Sequence, residues 1–227
     1  LLHEALRRKL GEHVRQAGSF VDHDRLRFDF SHFEKVNKQS LLEIERDVNQ
    51  FIQDKLNITI SFSSLEEAKK KGAMALFGEK YDHDRVRVVD IEEESVELCA
   101  GTHVKNTIQI ECFKIISEGA ISAGTRRIEA LAGKTYVHQS LDIQLKSQYK
   151  KLEIDYNNCE KLNKFLDEND QIKLKQVKEQ LDSKIIEASI KQKEVQIINY
   201  ENAQHKITAL LKRIQKHKQK HDQQQVH

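Results

Sequence analysis

The chain has 227 residues and 26.5 kDa, with 33% charged residues, a net charge of +2 and a mean hydropathy of −0.68. No stretch approaches the roughly 18 apolar residues a membrane-spanning helix needs, and the three scattered cysteines (Cys99, Cys112, Cys159) imply no disulfide framework. Proline is absent where average usage would give about eleven, which leaves room for long, uninterrupted helix.

The opening LLHEALRRKLGEHV carries charges throughout, so it is read as an amphipathic helix and not a signal peptide. Apolar residues at 2, 6, 10 and 14 predict a helix over 1–15, closed by Gly18. Leu26–Phe30 alternates with period two and reads as a strand. Lys38–Ile52 returns to helical spacing, with Leu41, Ile44, Val48 and Ile52 on one stripe. Ile58–Phe62 is a β-branched strand and Ser64–Lys71 a short capped helix. Val86–Val89, Val96–Cys99, Thr107–Phe113 and Arg127–Leu131 are further strand candidates. Elements in this order predict an α+β domain on an antiparallel or mixed sheet.

All eight glycines, and eight of the nine phenylalanines, fall within residues 1–133. From 134 to 227 there is neither Gly nor Pro, and 18 Lys+Arg stand against 13 Asp+Glu. This composition predicts a domain over 1–133 followed by a basic helical extension over 134–227. A coiled-coil stripe runs through Leu141, Leu145, Tyr149, Leu152, Tyr156, Cys159, Leu162 and Leu166, then resumes at Leu174, Val177 and Leu181. Asp167–Asp170 interrupts it with capping and turn residues, which predicts two antiparallel helices turning at 167–170. One continuous helix in an oligomeric coil is the competing arrangement.

The segment Glu97-Leu98-Cys99-Ala100-Gly101-Thr102-His103-Val104 is the richest chemically. A Cys and a His four apart, with Gly between, suit a strand end that turns thiolate and imidazole toward one metal. Zinc takes three or four such ligands, so Cys99 and His103 supply part of a site, and a structural Cys beside a surface His is the plainer alternative. His217 and His221 have i, i+4 spacing but sit in a lysine-rich tail that reads as a solvated face. No phosphate-binding glycine loop occurs.

Five collinear segments carry a family resemblance: LLHEALRRKLGEHVRQAGSFV, RLRFDFSHFE, ALFGEKY, VELCAGTHV and SEGAISAGTRRIEALAG. Together they resemble the editing domain of bacterial alanyl-tRNA synthetases, and the helical extension resembles the start of the C-terminal region of those enzymes. The resemblance implies that Cys99 and His103 are zinc ligands. The family's two histidine ligands precede the LLH that opens this sequence, and His3 is not one of them. It further implies that Gln16, Gly101 and Thr102 face the aminoacyl group. Arg27, Phe28, Asp29, Phe30, Ser31 and His32 match the family's R-F-D-F-S-H strand. One face of it is expected as core and the polar face as pocket wall. Arg126 and Arg127 are candidates for tRNA phosphate contact, or for structural ion pairs.

The implied activity is zinc-dependent hydrolysis of tRNA(Ala) wrongly carrying serine or glycine. The partner is the tRNA(Ala) acceptor end, with neither DNA nor membrane expected. ATP and Mg2+ belong to a catalytic domain not represented here, so the sequence reads as a cytoplasmic ligase fragment. Two alternatives stand beside it: a helical, self-associating piece with an incomplete editing site, and a freestanding alanyl-tRNA editing hydrolase.

Overall fold

The computed structural model describes residues 1–23, 25–74, 82, 84–92, 94–183 and 188–224. The ALFGEKY segment at 75–81 lies outside the described residues, as does His83. The chain divides into two units, Leu1–Val137 and His138–His227.

The first unit begins with α1 (Leu2–Leu10), which buries Leu2, Ala5 and Leu6. It stops earlier than its apolar stripe predicts. Gly11 adopts φ +115°, which glycine tolerates best. Val14, the last residue of that stripe, is fully buried from outside the helix. A strand unforeseen from sequence follows, β1 (Gln16–Val21), whose Ala17-Gly18-Ser19 carries no period-two signal. It pairs with β2 (Arg25–Ser31), the alternating strand that was foreseen. α2 (Lys38–Gln53) starts at Asn37, whose side chain accepts the Ser40 N–H at 2.8 Å.

A small second sheet follows: β3 (Ile58–Ser63), β4 (Val86–Ile91) and β5 (Ser95–Leu98), all antiparallel. One face closes on α3 (Leu65–Lys70) around Leu65, Ala68, Ala73, Val86, Val88 and Leu98. The strand expected at Thr107–Phe113 is not formed. Residues Thr107–Ile110 make one 3-10 turn instead. The Thr107 hydroxyl donates to the Phe51 carbonyl at 2.7 Å and accepts the Leu56 N–H at 2.9 Å, so this β-branched residue anchors a turn. β6 (Phe113–Ser122) and β7 (Thr125–Ala132) complete the larger antiparallel sheet in the order β1-β2-β7-β6. Its inner face and the two longer helices share the main core, with Leu6, Phe28, Phe30, Ile44, Ile52 and Ile128 at its centre.

In the helical unit, α4 (Lys134–Lys161), which starts within the first unit, is followed by α5 (Glu168–Asp182) and α6 (Ile190–Gln224). Asp167 caps α5 by accepting the Asp170 N–H at 2.8 Å, so residues 168–170, expected in the turn, form the first turn of α5 and the chain reverses just before them. The two-helix expectation needs correction, because a third helix lies alongside. Contacts of Asp142 with Lys193, Gln148 with Glu201 and Asp155 with Gln204 run in the same chain direction, so α6 is parallel to α4. Asp170 with Arg213 and Gln176 with Lys206 run oppositely, so α5 is antiparallel to α6. Sequence spacing located the stripes without saying which stripe met which. Their side chains, including Leu152, Cys159, Val177, Ile207 and Leu210, form one core. Among the described residues, no helix is long and apolar enough to cross a membrane.

Candidate functional site

Cys99 follows the last residue of β5, and its N–H donates to the Arg87 carbonyl at 3.2 Å. The Arg87 guanidinium returns a hydrogen bond to the Cys99 carbonyl at 2.5 Å, so the strand end is held from both sides. The chain then turns through Gly101, where an added Cβ would stand 3.6 Å from the Cys99 sulfur. The bare glycine thus keeps the space beside the thiol open. Thr102 and His103 follow, both exposed. The His103 Nδ1 lies 3.0 Å from the Gly101 carbonyl, which suits the tautomer protonated on Nδ1 and leaves Nε2 as the coordinating nitrogen.

A hydrogen bond with the His103 side chain holds the Cys99 thiol below its usual pKa, against the opposing effect of burial. Cys159 is the opposite case: desolvation in the helical core pushes its thiol up to about 11. Thiolate character therefore belongs to the cysteine beside the imidazole. The donor chemistry of Cys99 and His103 fits zinc, and a backbone carbonyl already orients the imidazole as metal-bound histidines require. Among the described residues, no third His, Cys, Asp or Glu joins the pair as a ligand group.

The remaining candidate residues form other groups. Gln16, on β1, donates from its amide to the Ser19 hydroxyl at 2.9 Å. On the sheet face turned from the core, Asp29 accepts two hydrogen bonds from Arg127, at 2.7 and 2.9 Å, with Arg27 3.8 Å away. These bonds hold the Asp29 carboxyl below its ordinary pKa. Gly18 and Gly119 flank this pair in the same row of the sheet, so the row is bare at both ends.

At the end of β2, the Ser31 hydroxyl donates to the His13 carbonyl at 2.7 Å. The His32 ring stacks on His13, with ring nitrogens 2.8 Å apart. Burial, then the neighbouring His13, keeps the His32 pKa low. Two of the candidate residues face the interior. Phe28 is a core residue, 6% exposed, with its ring 5.5 Å from that of His3. Arg126 is buried against the Glu118 carboxylate, so the structural ion-pair alternative describes it.

Sequence reading missed His13, which meets His32 across 19 positions with no local signal. It also missed Arg87, whose grip on the Cys99 backbone follows from strand register alone.

Residues 86–129 match the family described as the threonyl and alanyl tRNA synthetase second additional domain. That span runs from β4 to β7 and contains both Cys99 and His103. The chain is also similar to proteins named alanine–tRNA ligase. A Thermoanaerobacter sp. (strain X514) relative is 59% identical over 133 residues, which is 59% of this chain and 15% of that protein. One from Lysinibacillus sphaericus is 57% identical over 134 residues, 59% of this chain and 15% of the relative. A third, from Bacillus subtilis, is 54% identical over 149 residues, 65% of this chain and 17% of the relative. The matched region thus spans about a sixth of the length of these relatives.

Proposed function

We propose that this chain, which belongs with the bacterial alanine–tRNA ligases through its matched region, carries an editing site that hydrolyses mischarged aminoacyl-tRNA. The observation behind this reading is the convergence of the Cys99 thiol and the His103 imidazole beside a side-chain-free Gly101. Water adds to the ester carbonyl of seryl- or glycyl-tRNA(Ala). The bond to the ribose oxygen breaks, and the products are the free amino acid and an intact tRNA terminus.

The need for such a site is physical. A pocket built for alanine cannot exclude the smaller glycine and rejects an added hydroxyl only weakly. An editing site that hydrogen-bonds the serine hydroxyl discriminates far better, because alanine leaves its polar groups unpaired. We assign that hydroxyl to the Thr102 side chain, on the turn that carries Cys99 and His103. Cys99 and His103 would hold zinc as two of the four ligands of the family's motif. Bound zinc would supply electrophilic polarisation at the ester or at water. Cys99 acts as a ligand in this reading, not as a nucleophile. The Gly101 carbonyl keeps His103 in its coordinating tautomer, and Arg87 fixes the backbone from which Cys99 projects.

Self-association through the helical unit is the second reading, favoured by Ile143 and Ile154. These lie eleven residues apart on one stripe of α4 and are 70% and 51% exposed. ATP-dependent charging of tRNA(Ala) remains the expected activity of the longer relatives' protein and is not assigned to these residues.

The test is release of serine from Ser-tRNA(Ala) by the zinc-supplemented chain, with Ala-tRNA(Ala) as control. Serine-selective release supports the editing reading. Equal treatment of the two substrates removes it, and so does absence of hydrolysis in protein that holds stoichiometric zinc.

A further inference from the structure

We propose that the outer end of β3, with Arg85 beside it, is a shelf for the terminal adenosine of an aminoacyl-RNA, whose base stacks on Phe62. This inference rests on the editing reading and deepens it, because it assigns the part of the substrate next to the reacting ester.

Strand register carries the argument. Phe62 pairs with Arg87 across β3 and β4, and Val88 pairs with Leu98 across β4 and β5. One residue further, Cys99 bonds to the Arg87 carbonyl. Directly paired residues project from the same face of a sheet. Phe62, Arg87 and Cys99 therefore form one row, with Ile60 and Val89 in a neighbouring row of that face. The opposite face is the one closed by α3. With strands about 4.8 Å apart, Phe62 stands roughly 10 Å from Cys99 along the row. That distance leaves room for one nucleoside between an ester held beside the thiol and a base lying on the Phe62 ring.

The surface at that position has the chemistry a nucleotide needs. β3 is an edge strand, and Phe62 and Ile60 leave 57% and 44% of their surface exposed. The Arg85 guanidinium lies 4.7 Å from the centre of the Phe62 ring. An exposed aromatic with a cation against it serves nucleobase stacking, the ring taking the base and the cation the adjoining phosphate. Arg87 is the intervening member of the row, and its bond to the Cys99 backbone ties the shelf to the strand end that carries the thiol.

Two RNA hairpins ending in a non-hydrolysable 3′-seryl amide test this, one with a terminal adenosine and one with that base removed. Affinities of the full, zinc-supplemented chain are measured by calorimetry. Phe62→Ala should weaken binding of the adenosine hairpin about 5- to 150-fold, the range for loss of one base–aromatic stack. It should leave the abasic hairpin unchanged, and Phe62→Trp should retain both affinities. Arg85→Ala should weaken the adenosine hairpin at low salt more than at high salt. Equal loss for both hairpins in Phe62→Ala, or no loss for either, overturns the shelf. Equal binding of the two hairpins by the unaltered chain also overturns it, while leaving the editing reading intact. Binding of neither overturns the editing reading, and the shelf with it.

Discussion

Glu111 is one of three described non-glycine residues with positive φ, with Lys55 and Glu92, and glycine should outperform alanine there. It has φ +67° and ψ −58°, and the Cys112 N–H reaches back to the Ile110 carbonyl at 2.8 Å. These are the features of a γ-turn of the strained hand, in a backbone region that costs a side-chain-bearing residue about 1–3 kcal/mol. The Glu111 carboxylate compensates by accepting the Lys134 N–H at 2.9 Å, which caps the first turn of α4. Such a cap contributes about 1 kcal/mol. Glu111→Ala keeps the strain and loses the cap, so it should destabilise the first unit by about 1 kcal/mol. Glu111→Gly also loses the cap and adds roughly 0.5–1 kcal/mol of unfolded-state entropy, but it releases the strain. The balance places Gly above Ala by up to about 2 kcal/mol, the reverse of the usual order. At roughly 3–4 °C per kcal/mol for a unit of this size, the gap is readable by thermal unfolding followed by circular dichroism. An alanine variant as stable as the glycine variant, or more so, would refute the strain argument.

Three further outcomes are expected. Asp29→Asn should lower stability at neutral pH, since the carboxylate of Asp29 is buried against Arg127. The depressed Asp29 pKa means this stabilisation is present above the unfolded value near 3.9 and disappears as pH falls through the folded value. Urea titrations at descending pH should therefore bring variant and parent together in acid, and a constant gap would contradict the assignment. Alkylation mapped by mass spectrometry should find Cys99 modified well before Cys159 as pH rises, given a lowered thiol in one and a buried, raised thiol in the other; the reverse order would dissociate Cys99 from His103. Ile207→Ala, at a fully buried position among the three long helices, should cost about 2–5 kcal/mol. A loss under 1 kcal/mol in chemical denaturation would mean that the helices do not share one core.

Periodicity made much of the fold legible. The stripes of α1, α2 and the long helices, and the alternation in β2 and β3, are local signals that burial then rewards. What escaped was whatever depended on partners distant in sequence. Ala17-Gly18-Ser19 is a strand because β2 lies beside it, and Thr107 is a turn anchor because the Phe51 carbonyl is within reach. The Cys99–His103 pair was legible because both members sit on one tight turn. The Asp29–Arg127 contact spans 98 positions, and no spacing rule connects them. Arg126 and Arg127 are neighbours in sequence, yet strand alternation sends one to Glu118 in the interior and the other to Asp29 on the outer face.

The most direct test of the central claim, that the Cys99 thiolate and the His103 imidazole act as one donor pair, is titration with Co2+ as a spectroscopic substitute for zinc. The chain should develop a thiolate-to-metal charge-transfer band that zinc then suppresses. The band should vanish in Cys99→Ala and weaken in His103→Ala, with the fold of both variants retained. A band of undiminished intensity in Cys99→Ala would place the metal on another cysteine and remove the chemical basis of the proposed site.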